Sequence, residues 1–204
     1  MSNLILATLF LVLGSASSMA VEEATYTSIF SDENFETRYY DPQILAEIEV
    51  DGDFEGAGSK AFSQLFAYIS GENTSQKKIK MTAPVAQTNG SEMLNRTTPV
   101  SQQQKNGKWL VSFMMPSGLS LEELPQPKNP TINLRQLPAR HVASIRYSGF
   151  WTEKDYLYHL NLLNKWISSQ VLHASGAPIW ARYNAPYMPW FMRRNEILVP
   201  IKKP

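Results

Sequence analysis

Cysteine is absent from this chain of 204 residues. Disulfides, thiolate metal sites and cysteine nucleophiles are therefore excluded, and the fold has to stand on its apolar core. Charge of one sign is scarce too: 19 Lys and Arg stand against 18 Asp and Glu. Lys77-Lys78 and Arg193-Arg194 are isolated pairs, not parts of a basic block. A nucleic-acid binder would show a concentrated basic face, so no nucleic-acid partner is expected. No HExxH, G-x-S-x-G, P-loop or G-x-G-x-x-G occurs, which removes common zinc, serine-hydrolase and nucleotide signatures. The glycines between Gly52 and Gly58 lack a Walker lysine-hydroxyl pair and read as a turn into a helix.

Long apolar runs are missing after the first 20 residues. Leu4 to Leu13, broken only by Thr8, is followed by Gly14-Ser15 and then by Ser18-Met19-Ala20. Small residues at the first and third positions before Val21 suit signal peptidase, so residues 1–20 read as a signal peptide and 21–204 as the mature domain. A buried N-terminal helix and an uncleaved anchor are the alternatives. The run is shorter than the roughly 20 residues a membrane-spanning helix needs. The expectation is an exported protein, periplasmic or secreted, with no stable membrane insertion after cleavage.

What is present is an ordinary globular composition, 43% hydrophobic and 18% charged, in a length that suits one domain. Ile44, Ala46, Ile48 and Val50 share one strand face, in a run where apolar residues largely alternate with acidic ones. After the turn Asp51-Gly52-Asp53, a helix is predicted to about Ser70 on the stripe Ala57, Ala61, Phe62, Leu65, Phe66 and Ile69. Strands are predicted over 79–85 and 109–115, with a polar hairpin loop over 86–107 between them. Pro116, Pro125, Pro127 and Pro130 make the next stretch an irregular connection. Strands follow over 132–137 and 141–147, then a helix from Thr152 to about Val171 with Tyr156, Leu160, Leu163 and Ile167 on one face. The last strands are predicted over 179–183 and 196–201.

The pattern repeats. Glu36 to Phe54 lies over Asn133 to Trp151 at a constant offset of 97, with Arg38 over Arg135, Ala46 over Ala143 and Gly52 over Gly149. A small shift then sets Thr82-Ala83-Pro84-Val85 over Asn184-Ala185-Pro186-Tyr187. The chain therefore reads as a strand–helix–strand unit used twice, with halves of about 25–115 and 130–202. Two such units can stack their sheets or curl them into a barrel with a helix from each half outside. The predicted fold class is α+β, a distorted antiparallel β-barrel with two helices.

Candidate chemistry is thin. His141, His159 and His173 have no metal-ligand spacing. His141 falls in register with Ile44, which makes it a core histidine or a ligand lining a pocket. Glu122-Glu123 sits in a loop and reads as solvated, and three sequons begin at Asn73, Asn89 and Asn95. Trp180, Tyr183, Tyr187, Met188, Trp190, Phe191 and Met192 crowd the end of the chain, and Phe62 and Phe66 stripe the first helix. Such residues are ordinary core, or they hold a large flat ligand.

These residues carry a resemblance. Lys78-Ile79-Lys80-Met81-Thr82-Ala83-Pro84-Val85 is similar to the K-I-x-M-T-x-P-V signature of the SOUL haem-binding proteins. Phe35 to Tyr40, Ser148-Gly149-Phe150, Tyr183 to Pro186 and Arg193 to Ile197 also match, in family order. The resemblance implies a duplicated, distorted β-barrel that binds haem or free porphyrin, acting as a carrier or scavenger without enzyme activity. It places the ring against Phe62, Leu65 and Phe66 of the first helix and Tyr187, Met188 and Trp190 of the late loop. Tyr39 stands where some members carry a proposed axial histidine, which leaves Tyr39 and His141 as metal-ligand candidates. Ser59 stands in place of a propionate-binding arginine, which leaves Lys60, Arg193 and Arg194 as basic candidates. The expected partner is a small-molecule tetrapyrrole and the expected state a monomer. A general binder of small hydrophobic ligands, resembling bacterial effector-binding domains, is the alternative. Removal of metal from a tetrapyrrole, or hydrolysis of a small ligand, is a third reading, for which no triad or metal site is visible.

Overall fold

The computed structural model describes residues 21–89 and 108–204. The expected signal peptide, most of the 86–107 loop and the Asn95 sequon lie outside the described residues. In chain order the elements are β1 (Glu22–Glu23), β2 (Tyr26–Asp32), β3 (Phe35–Tyr40), β4 (Gln43–Asp51), α1 (Phe54–Ile69), β5 (Thr82–Ala83) and β6 (Val85–Asn89). They continue with β7 (Lys108–Met114), β8 (Ile132–Leu137), β9 (Arg140–Tyr147), α2 (Glu153–Ser169), β10 (Ile179–Arg182) and β11 (Asn195–Ile201). A 3₁₀ turn, Trp190–Met192, precedes β11. The strand expected over 79–85 is split: Thr82 and Ala83 pair with β1, and the main sheet resumes at Val85. Pro84 between them has no N–H to give to a ladder.

Nine strands form one antiparallel sheet in the order β2-β3-β9-β11-β10-β6-β7-β4-β8. The expected α+β class holds, and the sheet is a curled half-barrel, open between β2 and β8. From β3 to β8 the order reads the same from either end when β3 is set against β8, β4 against β9, β6 against β10 and β7 against β11. In register, Arg38 faces Val142 across β3 and β9, and Arg135 faces Leu45 across β8 and β4. One correspondence is corrected. Asn184-Ala185-Pro186 follows β10, whereas Thr82-Ala83-Pro84 precedes β6, so the topological counterpart of Ala83-Pro84 is Ala177-Pro178. The halves are also interleaved, because β3 pairs with β9 of the second half and β8 pairs with β4 of the first.

Both helices cover one face. Alternation puts Ala46, Ile48, Val111, Phe113, Ala143, Ile145, Ile197 and Val199 on that face, buried against Ala57, Ala61 and Leu65 of α1 and Leu163, Trp166 and Ile167 of α2. Each large side chain buried this way contributes about 1.5–3 kcal/mol. The helix starts meet at Phe54, whose ring centroid lies 5.2 Å from Tyr156 and 4.6 Å from Trp180. Asp53 caps α1 by accepting from Gly56 N at 2.6 Å, and Thr152 caps α2 by accepting from Asp155 N at 3.2 Å. Ser70 ends α1, followed by Gly71 at φ +121°, a conformation that favours glycine.

The other face carries a smaller cluster of Tyr40, Val142, Ala181 and Leu198. Beside it the fully buried Glu196 accepts from Arg38 Nη1 at 2.6 Å, Arg194 Nε at 2.9 Å and the Tyr183 hydroxyl at 3.0 Å. Residues 21–25 strap this face: β1 runs parallel to β5, Glu23 takes Arg194 Nη1 at 2.8 Å, and Ala24 packs on the cluster. Asn73 is fully buried, its amide donating to the carbonyls of Tyr68 and Lys77, so that sequon is closed in the folded domain. No helix among the described residues is long and apolar enough to cross a membrane.

Candidate functional site

The expected ring-binding residues divide between α1 and the loop after β10. Phe66 is exposed and stacks on the half-buried Phe62 at 5.8 Å, and Phe62 meets Phe113 of β7 edge-on at 5.3 Å. Leu65 is a correction. It is fully buried beneath the helix, and offers a ligand no surface. Lys60 is exposed nearly two turns from the start of α1. In the loop, Tyr187 is 88% exposed, Met188 is half-buried, and Trp190 stacks on Phe150 at 5.0 Å. Backbone bonds hold the loop: Trp190 O accepts from Gly149 N, and Arg193 donates from Nε to Met188 O and from Nη2 to Pro186 O.

Between helix and loop stands a strip that sequence reasoning missed. Arg182, on the inner face of β10, lies against Gly58 of α1, where a Cβ would come within 2.8 Å of its Nη2. The guanidinium sits over the rings of Trp180 at 4.6 Å and Trp151 at 5.5 Å, and Arg193 covers Trp151 at 4.3 Å. Arg182 Nη2 donates to Gln87 Oε1 at 3.2 Å, and Gln87 Nε2 donates to Phe54 O at 2.8 Å. The Arg182 Nε is buried with no acceptor. Among the described residues, neither Arg182 nor Arg193 forms an ion pair. Burial in these aromatic surroundings pushes Arg182 down to about 10, because desolvation penalises the charged form. The available signal was an arginine inside the apolar strand Ile179-Trp180-Ala181-Arg182, with a glycine at position 58 of an otherwise well-packed helix.

The metal-ligand candidates lie elsewhere. Tyr39 and His141 are cross-strand partners on β3 and β9, with ring centroids 4.9 Å apart. Tyr39 is 39% exposed, and His141 Nδ1 is buried without a partner. His141 shares the inner face of β9 with Ala143 and Ile145, as its register with Ile44 implies, but it sits half-buried beside Ile201 at the strand's far end. Tyr147, whose hydroxyl accepts from Trp180 Nε1 at 2.9 Å, is six residues further along β9, a span of about 20 Å at the usual strand rise. The iron candidates and the aromatic strip are therefore at opposite ends of β9. His159 stacks on Tyr147 at 3.7 Å with Nδ1 bonded to Asp155 O. No group of three or more His, Cys, Asp or Glu suited to a metal ion occurs among the described residues. A cleft of about 480 Å³ opens near Glu23, Gln43 and Met115, and no expected site residue lines it.

The strip suits an apolar ring with anionic arms. Aromatic faces and a backbone-pinned loop supply contact for the ring, and two guanidinium groups without carboxylates supply donors for carboxylates.

The chain is 25% identical over 164 residues to heme-binding protein 1 of Xenopus tropicalis, covering 80% of this chain and 81% of that one. It is 27% identical over the same length to heme-binding protein 1 of Xenopus laevis, at the same coverage. In fold it is similar to the C-terminal domain of EcmrR, with a TM-score of 0.62 at 11% identity over 88% of this chain and 99% of that chain. A Listeria innocua protein described as a hydrolase shares the fold at TM-score 0.56 and 11% identity, covering 85% of this chain and 94% of that one. At these identities the last two likenesses concern the fold alone. The sequence profile of the SOUL heme-binding proteins matches residues 21–200, and the chain belongs to that family.

Proposed function

We propose that the protein is an exported carrier or scavenger of tetrapyrroles, haem or free porphyrin, that binds the ring by apolar contact and performs no chemistry on it. The observations that carry this reading are the Phe62–Phe66 stack on α1, Arg182 and Arg193 over Trp151 beside Gly58 of the same helix, and Trp190 stacked on Phe150 in the loop. In this reading haem brings its own iron, and the chain's residues bind and orient the macrocycle without coordinating the metal. Tyr39 and His141 lie too far along β9 to reach a ring held there.

Titration of the purified mature domain with haemin and with metal-free protoporphyrin tests it. Both should quench tryptophan fluorescence at micromolar ligand with similar affinity, and Phe62→Ala should weaken both. No spectral shift and no quenching with either would overturn the reading. A loss specific to haemin in Tyr39→Phe or His141→Ala would restore an axial ligand. Recovery of chemically unchanged ligand is expected, and a demetallated product would instead make the protein an enzyme. Fractionation should place the mature chain outside the cytoplasm with Val21 at its N-terminus, and gel filtration should show a monomer.

A further inference from the structure

Arg182 is costly to the ligand-free protein. A guanidinium buried between two indoles loses hydration, and removing such a charge from water is repaid only by an opposite charge or by full hydrogen bonding. Of the other buried guanidinium groups, Arg38 has both, through Glu36 at 2.6 Å and Glu196 at 2.6 Å, whereas Arg140, at the far end of β9, also lacks an ion pair among the described residues and has only Gln43 Oε1 and the face of Tyr40. Arg182 has neither: its neighbours are Gln87, Trp151, Trp180 and the bare backbone of Gly58, and its buried Nε is unpartnered. One neutral hydrogen bond to Gln87 Oε1 and two indole faces are all that hold the cation here. An apolar residue of similar length would fill the same space between the indoles at lower cost. Uncompensated groups of this kind belong to functional sites, where stability is given up for binding.

We propose that Arg182 is the specificity determinant of the site: it supplies the buried positive charge that selects ring ligands bearing carboxylates over neutral esters and cationic lipophiles, at the expense of the stability of the free protein. The proposal rests on the tetrapyrrole reading of this surface. Arg193 assists from the exposed side of Trp151, its Nε and Nη2 already pinned to the loop carbonyls. Selection and instability therefore have one source, and they change together when the charge is removed.

The experiment compares protoporphyrin IX with its dimethyl ester, by tryptophan quenching, in the mature wild-type domain, Arg182→Met and Arg182→Lys, alongside thermal melts without ligand. The wild type should prefer the diacid by about tenfold or more, the worth of one charge-assisted hydrogen bond. Arg182→Met should bind both forms equally while melting above the wild type. Arg182→Lys keeps the charge but loses the planar fork, so it should retain part of the preference. Equal binding of diacid and ester by the wild type would overturn the assignment and leave ring binding intact. So would a lower melting temperature in Arg182→Met together with an unchanged preference. Binding of neither form would instead sink the tetrapyrrole reading itself.

Discussion

Single residues on the two faces of the sheet handle charge in opposite ways. On the outer face Glu196 has no exposed surface, and burial alone would raise its carboxyl; the hydrogen bond and charge of Arg38, joined by Arg194, outweigh this and hold it below its ordinary range. A carboxyl depressed in the folded state contributes stability that is present above its unfolded value and lost as pH falls through the folded one. Glu196 should therefore steepen acid unfolding below the ordinary glutamate range, and Glu196→Gln should flatten that limb in a urea-midpoint series against pH. At neutral pH the same variant should lose about 3 kcal/mol, because Arg38 and Arg194 are left without their shared carboxylate. Arg182 reverses the sign: removal of its charge should stabilise the free domain. Both residues were read from the sequence as members of apolar strands. Their pairing, or lack of it, depends on strands far apart in the chain.

At the scale of elements, α1 has three flanks with separate duties. Asp53 holds its start, and Asp53→Ala should cost about 1 kcal/mol in denaturant melts, the worth of an N-cap, without touching ligand preference. Leu65 lies in the core, and Leu65→Ala should cost about 2–5 kcal/mol. Phe66 is 47% exposed, so Phe66→Ala should leave the melting temperature nearly unchanged while weakening porphyrin binding. Equal destabilisation by the two substitutions would contradict this division of the helix. The stripe Ala57, Ala61, Phe62, Leu65, Phe66 and Ile69 was legible from spacing alone. Spacing set the arc as apolar, but it could not say where core ends and surface begins, because that edge is drawn by β4 and β7 beneath.

For the whole molecule, interleaving is the decisive feature. The first half supplies β3 to a strand of the second, and the second supplies β8 to a strand of the first. Neither half can then complete its own sheet, and the chain should unfold in one cooperative step. Tryptophan fluorescence and far-UV circular dichroism should give coincident urea midpoints, and a fragment of residues 21–115 should remain unfolded. Two separated transitions, or a folded fragment, would show the halves to be independent.

By itself the sequence determined the local elements, the offset of 97 that sets Glu36 to Phe54 over Asn133 to Trp151, and the family signature around Thr82-Ala83-Pro84-Val85, because these depend on spacing along one chain. Tertiary structure alone decided that the halves exchange strands and that Tyr39 and His141 stand away from the aromatic strip. It also decided that an arginine of β10 lies against a glycine of α1 with no ion pair among the described residues. Those facts depend on which strands become neighbours, and hydrogen-bonded pairing across the sheet brings together residues that no periodicity relates.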